Sequence, residues 1–82
     1  MNIEQRIIEL AAAEAGVEPA EVRPEHHFIN DLEFDSLGMV EFAMKIEDEF
    51  HINVPDDEMV KLQTVGDVIR YVTEHAQLNS TP

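Results

Sequence analysis

Ser36 is the side chain best placed to do chemistry. The run Asp31-Leu32-Glu33-Phe34-Asp35-Ser36-Leu37-Gly38-Met39-Val40-Glu41 sets one hydroxyl at the head of an acidic, amphipathic stretch that continues to Phe50. Three roles are open to such a serine. The plainest is capping, because Ser and Asp are both favoured at helix starts. A hydrolytic nucleophile needs a base within hydrogen-bond reach and donors for the developing oxyanion. Nothing in the spacing of His26, His27, His51 and His75 ties any of them to Ser36, and there is no Gly-x-Ser-x-Gly elbow. Covalent modification suits the setting better. A helix N-terminus offers free N–H groups and a positive dipole end, so a phosphodiester on Ser36 is tolerated there and projects toward solvent.

Metal chemistry fits poorly. Asp31-x-Glu33-x-Asp35 opens like an EF-hand loop, but its sixth position is Ser36 and its twelfth Phe42, where glycine and glutamate are needed. Adjacent residues such as His26 and His27 rarely point the same way, and no other ligand spacing completes a zinc set. No metal site is expected. The chain also has no cysteine, so any thiol chemistry must come from an attached group.

The elements that position Ser36 follow from periodicity and caps. Helix I spans about Ile3 to Ala15, capped by Asn2 with Gln5 completing a capping box, and stopped by Gly16. Ile3, Ile7, Leu10 and Ala11 form its apolar stripe. Residues 17–35 form a long connection in which Pro19-Ala20-Glu21-Val22 can make one short turn, and Phe28, Ile29 and Leu32 anchor it to the core. Helix II starts with Asp35 as N-cap and runs to about Phe50, with Val40, Ala43, Ile46 and Phe50 facing inward. Asp56 to Leu62 hold a short helix. Thr64 caps the last helix, whose Val65, Val68, Ile69 and Val72 follow the i, i+3, i+4, i+7 rule. The expected fold is all-α: a small four-helix bundle with a short third helix and a long first loop. Residues 1–76 make one domain, and 77–82 a polar, disordered tail.

Composition narrows the partners. Eighteen acidic residues face five basic ones, for a net charge of -13. That charge repels nucleic acid and anionic membranes and steers basic protein surfaces inward. Between Asp31 and Glu58, Lys45 is the one lysine or arginine among ten carboxylates, a distribution that marks a docking face. Mutual repulsion there is expected to raise several carboxylate pKa values. No apolar run is long enough for a membrane span, and the N-terminus carries no basic targeting segment, so a cytoplasmic, monomeric protein is expected.

On these residues the sequence resembles the acyl carrier proteins, over nearly its whole length. Family members place Asp-Ser-Leu at the start of their second helix, after a long first loop. The pattern continues in Val40-Glu41, Met44, Ile46-Glu47-Asp48-Glu49-Phe50, Ile52, Val54-Pro55-Asp56-Asp57-Glu58 and Thr64-Val65-Gly66-Asp67-Val68-Ile69-Arg70-Tyr71-Val72. The resemblance implies that Ser36 receives 4'-phosphopantetheine from coenzyme A through a phosphopantetheinyl transferase. The arm's thiol then holds acyl groups as thioesters for fatty-acid, polyketide or related enzymes, and the protein itself catalyses nothing.

It further implies that helix II and the acidic turn after it meet basic patches on acyl-transferring and synthase enzymes. Asp35, Glu41, Glu47, Asp48, Asp56 and Glu58 are the charged candidates; Leu37 and Met44 are the apolar ones. An acyl pocket in the bundle interior is implied, with Phe28, Val40, Ala43, Ile46, Val54, Met59, Leu62 and Val68 as the candidate lining residues. Alternatives are an aminoacyl or D-alanyl carrier and an unmodified acidic adaptor. Three residues depart from the family's usual Leu-Gly-x-Asp-Ser-Leu and the acidic residue after it: Glu33, Phe34 and Gly38. Glu33 in place of glycine predicts a differently shaped turn, Phe34 a bulky group beside the arm, and Gly38 a lost charge.

Overall fold

The helix starts are set by side-chain oxygens that each take the N–H three residues on. Asn2 Oδ1 accepts from Gln5 at 3.1 Å, Asp35 Oδ1 from Gly38 at 2.7 Å and Thr64 Oγ1 from Asp67 at 3.1 Å. Asp67 returns the favour through Oδ2 to the N–H groups of Gln63 and Thr64, closing a reciprocal box. The expected box at Asn2 is only half made, because Gln5 Nε2 donates to Glu9 instead.

These caps open α1 (Ile3–Ala15), α2 (Ser36–Phe50) and α4 (Val65–Ala76), with α3 (Asp56–Met59) between the last two. A 3-10 turn over Pro19–Glu21 interrupts the first loop. This computed structural model describes residues 2–76, so the expected tail at 77–82 lies outside the described residues. Gly16 ends α1 at φ 76°, and His51 ends α2 at φ 57°. Helix α3 stops at Met59 rather than Leu62; turn bonds from Lys61 N–H to Glu58 O and from Leu62 N–H to Met59 O finish the segment.

α1 packs against α2 and α4, and its buried Ile7, Ala11 and Ala12 share one core with Phe42, Ile46 and Phe50 of α2 and Val65, Val68 and Val72 of α4. The centre is aromatic. Phe28 lies 5.2 Å from Phe34 and 5.1 Å from Phe42, and Phe34 meets Phe42 edge-on at 5.7 Å. Each fully buried ring contributes on the order of 2–3 kcal/mol through apolar burial. The long loop is pinned to the head of α4. Val65 N–H donates to His26 O at 3.0 Å, Gly66 N–H to Pro24 O at 2.8 Å, and Phe28 N–H to Gln63 O at 3.0 Å. A Cβ on Gly66 would come within 3.1 Å of that Pro24 oxygen, so the close approach depends on glycine.

Three core assignments are corrected. Val40 is 45 % exposed and not part of the α2 core stripe. Phe42, two residues on and about 200° round the helix, takes that place with Ile46 and Phe50. Ile29 is 55 % exposed and anchors nothing; Phe28, Leu32 and Phe34 hold the loop. Phe34 is buried against Phe28 and Phe42, so it does not stand in solvent beside Ser36.

Candidate functional site

Ser36 is the first residue of α2, and it is exposed. Asp35 supports it from behind, with its Oδ1 on the Gly38 N–H and its carbonyl on the Met39 N–H at 2.9 Å. That leaves the Ser36 and Leu37 N–H groups at the open, positive end of a 15-residue helix. The turn that delivers the chain to this point contains a left-handed residue: Glu33 sits at φ 61°, the conformation glycine takes without penalty. Glu33 therefore holds a backbone conformation that a glycine would adopt more readily. Gly38 has a packing reason of its own. A Cβ there would lie 3.1 Å from the capping Asp35 oxygen.

Ser36 borders an open groove of about 480 Å³ between α2 and the α3 segment, whose walls include Met39, Val40, Met59, Val60 and Leu62. Behind it lies a small apolar cavity of about 20 Å³, bordered by Ala43, Ile46, Val54 and Val68 with Tyr71 and Val72. A volume of that size holds about one water molecule. The expected pocket residues are thus divided between two spaces. Phe28 and Val40 border the groove, Ala43, Ile46, Val54 and Val68 border the cavity, and Met59 and Leu62 border both. Met39 and Tyr71 were missed by the sequence reading. Met39 was findable, because residues 39, 42, 43 and 46 repeat at helical spacing.

On the outer face of α2, Leu37 is 64 % exposed and Met44 60 %, with Val40 between them. Glu41 and Asp48 flank this row, and Asp35 and Asp56 are exposed nearby. Two expected partner residues also have internal work. Glu47 is half-buried and its Oε2 accepts the Val54 N–H at 2.8 Å; Glu58 pairs with Lys61 at 3.7 Å. Val60, 70 % exposed, adds an apolar group that the sequence reading passed over.

The charge is not uniformly repulsive. A hydrogen bond with Glu14 of α1, and the charge of Glu14, raise the Glu41 pKa above the usual carboxylate value; Lys45 partly opposes this. Lys45 itself reaches Glu14 at 3.1 Å. Conversely, the Arg6 guanidinium donates to both Glu49 oxygens, at 3.0 and 3.2 Å, and lowers that carboxyl's pKa. The expected crowding within residues 31–58 is corrected accordingly: the rise at Glu41 comes chiefly from α1, and Glu49 moves the other way. Among the described residues there is no grouping of three metal-ligating side chains and no helix long and apolar enough to cross a membrane.

Residues 5–72 match the family described as "Phosphopantetheine attachment site". The chain is 41% identical over 73 residues, 89% of its length, to the "Meromycolate extension acyl carrier protein" of Mycolicibacterium aurum, of which it covers 75%. Proteins of the same name from Mycolicibacterium smegmatis and Mycobacterium leprae match at the same identity, over 74% and 64% of their lengths. The chain spans less than two thirds of the M. leprae relative. It belongs to the phosphopantetheine-bearing acyl carrier family, and 4'-phosphopantetheine is the family's cofactor. The site fits that group: an exposed hydroxyl, two open N–H groups for a phosphate and a mostly apolar groove alongside.

Proposed function

We propose that this protein carries acyl groups as thioesters on a 4'-phosphopantetheine arm attached to Ser36, and that it is a carrier and not an enzyme. The observation that carries the proposal is the exposed Ser36 hydroxyl at the first position of α2, within the residues that match the family. The arm, when bound, supplies the thiol that a cysteine-free chain lacks. Ser36 Oγ anchors it, having received it from coenzyme A by the action of a phosphopantetheinyl transferase. Asp35 holds the helix start in place, and the Ser36 and Leu37 N–H groups lie where the phosphate charge is best met.

Acyl-transferring and synthase enzymes are the proposed partners. They dock on Leu37 and Met44 with Arg or Lys side chains toward Asp35, Glu41, Glu47, Asp48, Asp56 and Glu58. The net charge of -13 supports fast, salt-sensitive encounter with such basic patches, and it opposes self-association, so the carrier works as a monomer. A cytoplasmic location is part of the same proposal. The relatives' names specify meromycolate extension for those proteins. Together with the departures at Glu33 and Gly38, they favour a dedicated acyl-extending pathway over general fatty acid synthesis.

The test is selective loading. The phosphopantetheine-bearing protein is offered octanoate with an acyl-carrier synthetase, or D-alanine with its adenylating ligase, and weighed by mass spectrometry. A hydroxylamine-labile gain with octanoate alone is expected. A gain with D-alanine alone would make it an aminoacyl carrier, and partner binding independent of any arm would make it an adaptor.

A further inference from the structure

Six large apolar side chains are exposed among the described residues: Val17, Ile29, Leu37, Val40, Met44 and Val60. Single exposed apolar residues are ordinary on a protein surface, but a contiguous group of them marks an interaction surface. All but Val17 belong to one such group around Ser36. Leu37, Val40 and Met44 follow Ser36 along α2, and Val40 also borders the open groove beside Ser36, together with Ile29 and Val60. Three separate stretches of chain thus each give one exposed apolar residue to the rim of one groove. Ile29 comes from the first loop, Val40 from α2 and Val60 from the residue directly after α3.

Ile29 is the member that the docking surface proposed above leaves out, and its backbone is held on both sides. His27 O accepts from the N–H groups of Asp31 and Leu32, both at 3.0 Å, and Asp31 Oδ2 closes the same turn on the His27 N–H at 2.7 Å. Phe28, next to it, is fully buried, with its N–H on Gln63 O and its carbonyl taking the Phe34 N–H at 2.8 Å. Ile29 therefore stands outward on a closed turn anchored by a buried ring. A side chain presented on fixed backbone loses little freedom when a partner covers it, so more of its apolar burial appears as affinity. Exposed acids lie at the edges: Asp31, Glu33 and Asp35 follow on the loop, and Asp56 and Asp57 precede Val60 on the other segment. An apolar centre with a charged edge is the usual anatomy of a protein interface.

We infer that Ile29 is a contact residue for the phosphopantetheinyl transferase, whose footprint takes in the first loop as well as α2. This rests on the carrier function proposed above. Among the proposed partners, the transferase is the one that must bring its reacting atoms to Ser36 Oγ itself; the others meet the far end of the arm. A footprint of ordinary size, roughly 800 Å² per partner, is a disc of about 16 Å radius. Centred on Ser36, such a disc extends over the groove that Ser36 borders. The surface that fits is an apolar patch facing Ile29, Val40 and Val60, with Arg or Lys side chains toward the acids at its edge.

The experiment follows modification of the protein by a phosphopantetheinyl transferase with coenzyme A, for wild type, Ile29→Ser, Ile29→Leu and Val17→Ser. Melting curves first establish that the variants are folded. Ile29→Ser is expected to raise KM for the carrier about tenfold with kcat nearly unchanged. Ile29→Leu, which keeps the apolar contact, should stay close to wild type, as should Val17→Ser, an exposed site that does not border the groove. Added salt should weaken docking of every form by damping charge, while the ratio between Ile29→Ser and wild type persists, because the lost contact is apolar. An Ile29→Ser KM within about twofold of wild type, or a ratio that vanishes in salt, overturns the inference and leaves the carrier function intact. A wild-type protein that gains no phosphopantetheinyl group counts against the carrier function and takes the inference with it.

Discussion

Glu33 spends conformational energy to hold the turn before Ser36. A non-glycine residue at φ 61° costs on the order of 1 kcal/mol, and glycine removes that cost. Glu33→Gly should therefore raise the melting temperature by a few degrees, at about 4–8 °C per kcal/mol for a domain this small. A lower melting temperature would mean that the Glu33 side chain makes a compensating contact. Phe34, one residue on, should be far more sensitive. Its ring packs on Phe28 and Phe42, so Phe34→Ala should cost about 3–5 kcal/mol, read from the urea midpoint. Capping preference placed Asp35 as the cap and Ser36 as the first helical residue, and the resemblance to the acyl carrier proteins gave Ser36 its role as attachment point. Phe34 was misread, because a residue between two acids carries no periodic signal and its burial depends on the backbone reversal at Glu33.

At the scale of elements, helix limits were legible and helix rotation was not. Asn2, Gly16, Asp35 and Thr64 announce their ends in residue chemistry that acts within three or four positions. The rotation of α4 was also clear, because its apolar residues keep to one face. α2 carries two apolar rows, Phe42, Ile46 and Phe50 inside and Leu37, Val40 and Met44 outside. Periodicity cannot say which of two rows is buried; packing against α1 and the aromatic loop decides it. The outer row is left exposed in a protein that has the material to bury it, which is what a docking surface requires. The cap that fixes this helix should be measurable. Asp35→Ala should lower stability by about 1 kcal/mol in urea titration, whereas Asp35→Asn should keep most of it, since both accept the Gly38 N–H. Equal losses in the two variants would assign the effect to charge rather than to the hydrogen bond.

For the whole molecule, the sequence's charge excess predicts the direction of pH dependence, but the folded contacts decide which groups carry it. Glu41 has a raised pKa because Glu14 faces it, so the native state binds a proton more readily than the unfolded chain. Stability should rise as pH falls from neutral through that raised value. Glu49 is lowered by Arg6; its contribution is complete above the ordinary carboxylate value and is lost as pH falls through its depressed native value. Melting temperature should thus pass through a maximum on the acid side of neutral, and Glu41→Gln should flatten the rise toward it. A monotonic fall from pH 7 would contradict this balance. Both groups are surface carboxylates, and added salt should damp both effects. The central claim concerns a single atom, Ser36 Oγ, and intact mass tests it most directly. Incubated with coenzyme A and a phosphopantetheinyl transferase, the wild-type protein should gain one phosphopantetheinyl group and Ser36→Ala none. No gain on the wild type, or the same gain on Ser36→Ala, would contradict the account.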